Sequence, residues 1–466
     1  MGIRLSEHKS FSIRRNDSEE NINQSFEGLM LSELEFSRYE TVLSKSFNNS
    51  SYRFLFEKQD SYYLISADYC IGIDWLGETG KYIYVEPKLN SSSIQSFTQE
   101  LEDENDSSIN TIDYESNQQF ELNYLKMLLQ VTSVSESNLE VKELVQIDWN
   151  SKQIEIEQKD DQLTPFLIIR FLQTLKSIVR KGLKKSYYKV QENLNNRVKG
   201  KILVGQHIKQ NVFKNRLTTT FCEYQVFGED HLENRFLKKV LQFVMSYVEN
   251  NKVLLNENYQ IIQETINYCR PAFELISYDI KENKIKHLKH NPFYRDYKDA
   301  LETGSYILKR FAYNITKTSN SKILTPPFWI DMPRLFELYV YSKMIESNSE
   351  LKKEIHYQFS TYGNALDILV SSPNYQMVID AKYKLNYKKG HLHEDIRQVA
   401  GYARLNKVRN KLKIEDDKTI DCLIIYPDME NGIVDFSLDN IQQSKQKIKA
   451  YYKVYKLGIS LPLINS

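Results

Sequence analysis

The sequence predicts a multidomain α+β protein with a β-rich start, a helical middle and a mixed α/β end. Three observations predict it. Aromatic and β-branched runs, separated by turn residues, crowd positions 52–85. Apolar residues recur at helical spacing from Thr164 to Tyr188 and from Leu232 to Asn250. An apolar hairpin at 364–384 sits between two helical stretches. A chain of 466 residues suggests two or three domains. Composition divides it at 1–150, 151–320 and 321–466.

Residues 1–50 are mostly polar, with a short helix expected from Leu31 to Ser44. Strands are expected at Tyr52–Phe56, Tyr62–Ile65, Tyr69–Leu76 and Tyr82–Val85. Gly72, inside the third, implies a bulge or the close approach of another backbone. Thr98 to Leu125 holds eight acids and no base. The acidic insert, 98–121, reads as a solvated loop, with an acidic contact to a basic partner as the alternative. Leu122 to Ser133 reads as an amphipathic helix and Glu140 to Ile147 as a strand.

In the middle, Phe166, Ile169, Leu172, Leu175, Val179 and Leu183 mark one long helix. Its last turns carry Arg180, Lys181, Lys184 and Lys185, which partly complement the helix dipole. From Lys176 to Arg216 there are twelve Lys or Arg against one acid, Glu192. Lys184, Lys185, Arg197, Lys199 and Lys201 are therefore candidates for tracking a nucleic-acid backbone. A solvated helix face followed by a loop explains the same run equally well. Further helices are expected at Leu232 to Asn250, Asn258 to Cys269 and Asn291 to Thr316.

The C-terminal domain reads α-β-β-α-β-β-α. Asp331 is the N-cap of its first helix and Pro333 fits the first turn. Leu335, Leu338, Met344 and Ile345 form an apolar stripe with Glu337 beside it. The hairpin follows: Ala365 to Val370 is apolar except for Asp367, Ser371-Ser372-Pro373-Asn374 supplies the turn, and the second arm ends Asp380-Ala381-Lys382. The next helix, from Glu394 to Arg404, puts Gln398 and Tyr402 on one face. Asp421 to Tyr426 and Gly432 to Leu438 are expected strands, and Ile441 to Tyr452 is partly helical.

Side chains alternate along a strand, so Asp380 and Lys382 share a face about 6–7 Å apart. Asp367 can meet Asp380 across the hairpin, and Ala381 leaves its carbonyl near the same edge. Two carboxylates and a carbonyl make a hard oxygen site of the kind Mg²⁺ prefers, with Mn²⁺ as an alternative. A lysine beside it can orient water and stabilise charge growing on a phosphate. The spacing alone also describes a solvated strand end with a salt bridge of little worth. The apolar surroundings argue for charges that are paired or metal-bound.

Composition excludes several classes. The formal net charge is +1, so any nucleic-acid surface must be local. The four cysteines are far apart with no C-x-x-C, which argues against a zinc ribbon or a disulfide framework. The start lacks an apolar signal segment and no run is long enough to span a membrane, so a cytoplasmic chain is expected. There is no G-x-x-x-x-G-K-[ST] phosphate loop and no G-x-S-x-G. The pairs His287/His290 and His391/His393 lie in polar, Lys-rich stretches and read as surface residues.

These residues resemble a known family. MPRLFELYV (332–340), ALDILV (365–370), VIDAKYK (378–384) and EDIRQVAGYA (394–403) look like the McrC-type subunit of modification-dependent restriction systems. NRVKGKI (196–202), FCEYQVFGEDHLENRFLKKVL (221–241) and CIGIDWL with YIYVEPKL (70–89) resemble that family's central and N-terminal regions. The resemblance implies a PD-(D/E)xK nuclease domain at 321–466. Asp367 and Asp380 would be its metal-binding acids, Lys382 its catalytic lysine and Ala381 a carbonyl donor, with Glu337 and Gln398 on flanking helices. Leu366 replaces the family's leading proline and removes no ligand. The resemblance further implies double-stranded DNA as substrate and a separate McrB-like AAA+ GTPase as partner, docked by the N-terminal half. GTP would act only through that partner, and the nuclease domains would pair to cut both strands. Two other functions stay open: a non-catalytic adaptor that binds DNA and activates an NTPase, and a stand-alone nuclease.

Overall fold

The computed structural model describes residues 2–7, 10–15, 28–32, 36–37, 46–47, 51–52, 54–58, 62–67, 69–77, 79–90, 119–134, 140–157, 160–255, 258–278, 294–314, 322–361, 364–383, 391–414, 418–429 and 431–464. Residues 98–118 of the acidic stretch, His287 and His290, and most of the helix expected at 31–44 lie outside them. The chain is α+β and forms two compact units. One joins Met1–Ile156 with Lys322–Ser466; the other is Glu157–Ser321. No described helix is long and apolar enough to cross a membrane. All four cysteines are buried and free.

The first unit contains β1 (Ile3–Ser6), β2 (Cys70–Trp75), β3 (Tyr82–Glu86), β4 (Val145–Ile147) and β5 (Phe328–Asp331). They form one sheet in the order β1-β3-β2-β5-β4. Gly72 on β2 has φ +146°, and a Cβ there would sit 2.2 Å from the Phe328 carbonyl oxygen. The close approach expected at this glycine is therefore made by β5. Asp74, fully buried, accepts from Trp329 Nε1 at 3.2 Å and so ties the same two strands together. Ile3, Leu5, Ile83, Val85 and Trp329 share a core with Phe54 and Ile65 from a neighbouring four-stranded sheet. The strand expected at 140–147 is shorter: Glu140–Leu144 forms a 3₁₀ turn and only Val145–Ile147 pairs.

The same unit ends in a six-stranded sheet. After α1 (Met332–Ser347) come β6 (Ile355–Thr361), β7 (Asn364–Ser371), β8 (Gln376–Ala381), α2 (His391–Ala403), β9 (Asp421–Pro427), β10 (Gln446–Lys447) and β11 (Val454–Ile459). The order is β6-β7-β8-β9-β11-β10. β8, β9 and β11 run parallel; β6, β7 and β10 pair antiparallel. Ile396, Val399 and Ala403 of α2 pack on Leu366, Val378, Cys422 and Ile424. Asp331 caps α1 by accepting from Arg334 N at 3.0 Å. The expected stripe on α1 is too narrow a description. Phe336, Tyr339, Val340 and Tyr341 are buried as well, because the helix lies between the sheet and the helix Tyr124–Ser133. Ile355–Thr361 and Val454–Ile459 are strands that the expected pattern lacked. Gly432 to Leu438 is not a strand, and the helix there is Leu438–Ser444. Asp435 accepts from Ser437 N and Oγ, which turns the chain into that helix instead.

The second unit packs the helices Leu163–Lys181, Leu232–Asn250, Asn258–Cys269 and Arg295–Asn314. Inside it Arg310 Nη2 meets Asp161 Oδ1 at 2.6 Å and Arg310 Nε donates to Thr164 Oγ1 at 2.7 Å, with both ion-pair side chains buried. The helix expected to reach Tyr188 stops at Lys181, where Gly182 turns out with φ +88°. Ser186–Asn195 then pairs antiparallel with Thr219–Gly228 over ten residues, and Lys201–Ile202 adds a short third strand. Tyr187, Tyr188 and Val190 favour an extended chain once the glycine has ended the helix.

Candidate active site

The β7–β8 hairpin and the helices α1 and α2 meet at the C-terminal end of β8. Ile368 pairs with Ile379 across the β7–β8 hairpin, and one step further this register brings Asp367 opposite Asp380. Asp367 Oδ2 accepts from Ala381 N at 2.8 Å. The Lys382 backbone leaves β8 by donating to Ile425 O on β9 at 2.8 Å. This fixes the direction in which its side chain starts.

Asp380 is 1% exposed. Its Oδ2 lies 2.9 Å from Lys382 Nζ as an ion pair, yet the same buried oxygen has no aligned hydrogen-bond donor. Lys382 Nζ also donates to Gln398 Oε1 at 3.2 Å, and Gln398 Nε2 donates to the Tyr402 hydroxyl at 2.7 Å. Asp395, one helical turn before Gln398 on α2, approaches Lys382 Nζ to 3.8 Å and is buried. Glu337 of α1 accepts from the Tyr357 hydroxyl at 3.3 Å.

The electrostatics follow from burial and crowding. Asp367 is pushed well above the usual carboxylate range, first by burial and then by Glu337 and Asp380. Burial also raises Asp380, against the pull of Lys382. Glu337 rises to about 7, from burial and then from Asp331 and Asp380. For Lys382, burial favours the neutral amine, but Asp380, Asp395 and Asp367 outweigh it and the ammonium is held more firmly than usual.

The sequence-expected residues Asp367, Asp380, Ala381, Lys382, Glu337 and Gln398 are thus brought together. Three neighbours were missed. Asp395 stands three residues before Gln398, a spacing that shares a helix face and was readable. Tyr357 lies on a strand that was not expected. Gln358, opposite Asp367 in the β6–β7 register, holds φ +44°, a conformation only occasionally adopted by non-glycine residues.

The basic candidates lie elsewhere, in the second unit. Lys184 is paired with Glu233 at 2.6 Å and sits over the Tyr294 and Tyr297 rings. Lys185 is exposed, 3.8 Å from Glu229. Arg197, Lys199 and Lys201 are exposed on the β-ribbon, Lys199 over the Tyr224 ring at 4.2 Å. His393 is exposed and contacts the Tyr451 hydroxyl at 2.8 Å.

A hard divalent cation fits the donor set. The donors are all oxygen, their charges repel one another, and Asp380 Oδ2 is buried with an unused acceptor position. Among the described residues no three His, Cys, Asp or Glu side chains close into a metal-ligand cluster. Mg²⁺ in general keeps part of its water and needs only one or two protein carboxylates.

The carboxylate–lysine cluster thus sits at the C-terminal end of an interior strand of the mixed sheet. The chain belongs to the family of McrBC 5-methylcytosine restriction system components, whose model matches residues 78–427. Among solved structures it is similar to a chain from the refined half-complex of a tetradecameric assembly of Thermococcus gammatolerans McrB AAA+ hexamers with bound McrC. That match has 13% identity and a TM-score of 0.36, over 99% of this chain and 94% of that one. A second similar chain comes from the cryo-EM structure of the Thermococcus gammatolerans McrBC complex, at 13% identity and a TM-score of 0.29, over 74% of this chain and 88% of that one. No curated protein matches.

Proposed function

We propose that this chain is the McrC-type subunit of a McrBC-like restriction system, a DNA endonuclease switched on by a separate AAA+ GTPase. Family membership supports the system. The observation that carries the nuclease reading is the convergence of Asp367, Asp380 and Lys382 at the end of one hairpin.

Asp367, Asp380 and the Ala381 carbonyl would hold Mg²⁺ or Mn²⁺, which when bound supplies Lewis-acid stabilisation of the phosphate. The chain's own residues do the rest. Lys382 presents an ammonium to a phosphate oxygen or to the attacking water. Gln398 and Tyr402 limit where that ammonium can swing. Glu337, raised to about 7 in the metal-free chain, can exchange a proton near neutral pH.

The β-ribbon of the second unit suits a protein partner as well as DNA. Tyr187 and Phe227 are exposed on its strands, and Val204, Phe213 and Leu217 on the segment that connects Ile202 to Thr219, in the same unit as the exposed Arg197, Lys199 and Lys201. We assign contact with the GTPase to this ribbon, and pairing of nuclease domains to the complex that cuts both strands.

The test is plasmid cleavage by the full chain with Mg²⁺, with and without its cognate AAA+ GTPase and GTP, on methylated and unmethylated DNA. Cutting that needs the partner and disappears in Asp380→Ala is the expected result. GTPase stimulation with no cutting under any condition would leave an adaptor. Cutting by the chain alone would leave a stand-alone nuclease.

A further inference from the structure

Lys382 has more counter-charge than the hairpin gives it. Asp380 Oδ2 is 2.9 Å from the ammonium and Gln398 Oε1 accepts from it at 3.2 Å. A second carboxylate, Asp395, stands as an ion-pair partner with its Oδ1 3.8 Å away, on a different element from Asp380. The lysine side chain is 15% exposed and the Asp395 side chain 5%. Burying a carboxylate this far costs several kcal/mol unless its charge is used. The position next to it on α2, Glu394, is exposed. The helix therefore turns the acid, and not its exposed neighbour, toward the lysine.

Geometry gives Asp395 a distinct task. Asp380 would be drawn toward a cation when the site is loaded, and its grip on Lys382 would loosen. Gln398 is neutral and exposed, so it steers the ammonium weakly. Asp395 faces Lys382 from α2, outside the set of oxygens that would hold the cation. We propose that Asp395 is a positioning residue: from α2 it holds the Lys382 ammonium over the reacting phosphate while Asp367 and Asp380 are engaged elsewhere. This rests on the nuclease reading above, and it adds a residue and a role that the hairpin motif does not contain.

The experiment compares Asp395→Asn, Asp395→Glu and Lys382→Ala in the full chain. Cutting is measured under single-turnover conditions with Mg²⁺ and the GTPase partner. DNA binding, GTPase stimulation and thermal melting are recorded on the same samples. A readout independent of cutting is the rate at which an N-hydroxysuccinimide ester acylates Lys382, followed by peptide mass spectrometry. Asp395→Asn keeps the shape and removes the charge. It is expected to slow cleavage tenfold or more, leave DNA binding, GTPase stimulation and melting unchanged, and raise Lys382 acylation severalfold. Asp395→Glu, whose carboxylate can still reach the ammonium, is expected to recover most of the rate. A merely structural acid would spare Asp395→Asn and be hurt by the longer glutamate. Wild-type cutting and acylation in Asp395→Asn, with Lys382→Ala inactive, would overturn the role of Asp395 and leave the nuclease reading standing. Full cutting by Lys382→Ala would remove Lys382, and Asp395 with it, from the mechanism, and no cutting by the wild-type chain under any condition would sink the nuclease reading itself.

Discussion

Lys382 Nζ lies 2.9 Å from Asp380 Oδ2, two residues earlier on the chain, and the two share one buried edge of the hairpin. Neither charge would be tolerated there alone. Removing one partner of a buried pair leaves the other uncompensated, at a cost of about 3–5 kcal/mol. Together they place an ion pair in which the carboxylate is buried and the ammonium is partly exposed.

The direct prediction concerns activity. Lys382→Ala is expected to lower the cleavage rate by on the order of 10²–10³, the loss typical of one electrostatic contact to a transition state. Asp380→Ala should abolish cutting. Single-turnover kinetics on plasmid DNA measures both, and cutting by Asp380→Ala at the wild-type rate would remove the hairpin from the mechanism.

Asp367 offers the opposite prediction for stability. Burial and the neighbouring Glu337 and Asp380 push its carboxyl well above its usual range. Asp367→Asn removes that repulsion and can still accept from Ala381 N. The metal-free variant is expected to be more stable than the parent by roughly 1–2 kcal/mol at neutral pH, as strained functional sites often are when relieved. Urea unfolding in EDTA measures it. An equal or lower midpoint would mean that the carboxylates are not in conflict.

Glu7 sets a pH dependence. It is buried beside Tyr383, whose hydroxyl donates to it at 3.3 Å, and burial raises its carboxyl from 4.5 to about 8. The folded chain therefore holds this proton more tightly than the unfolded chain. The stability from Glu7 is complete below about pH 4.5 and is lost progressively as pH rises to about 8. The whole effect is on the order of a few kcal/mol. Glu7→Gln should flatten this part of the stability curve. Unfolding free energies at pH 5 and pH 8 for the two chains decide it, and identical slopes would count against the assignment.

In the second unit, Arg310 and Asp161 form a buried ion pair at 2.6 Å. Asp161→Ala is expected to cost about 3–5 kcal/mol by taking the carboxylate away from a buried guanidinium. Replacing both residues with apolar ones of similar size should cost far less. Thermal melts of the single and double variants separate these outcomes.

Much of this was legible in the sequence, and the reasons are local. Asp367, Asp380 and Lys382 were readable because strand alternation fixes which side chains share a face, and because charges inside apolar runs stand out. The helix Leu232–Asn250 carried its own period. The strand Val454–Ile459 did not stand out: Tyr455 and Lys456 mix with its apolar residues, and its partner β9 lies far back in the chain. The helix end at Lys181 was hidden because Leu183 continued the period past Gly182. A glycine at φ +88° overrode a spacing that was otherwise helical. Asp395 was visible as a residue but not as a contact, since only the packing of α2 on the sheet brings it to Lys382.

The division of the chain has a consequence for how it is made. Glu157–Ser321 is continuous and can close on itself as soon as it leaves the ribosome. The other unit cannot. β2 pairs at once with β3 but lacks its second partner until Phe328–Asp331 has been synthesised, and β8 lacks its second until Asp421–Pro427 follows. A nascent chain thus passes through a long stage in which the Asp367–Asp380 hairpin exists without the strand that anchors Lys382. For a protein proposed to cut DNA, this order of synthesis keeps the blade unassembled until Asp421–Pro427 has been made.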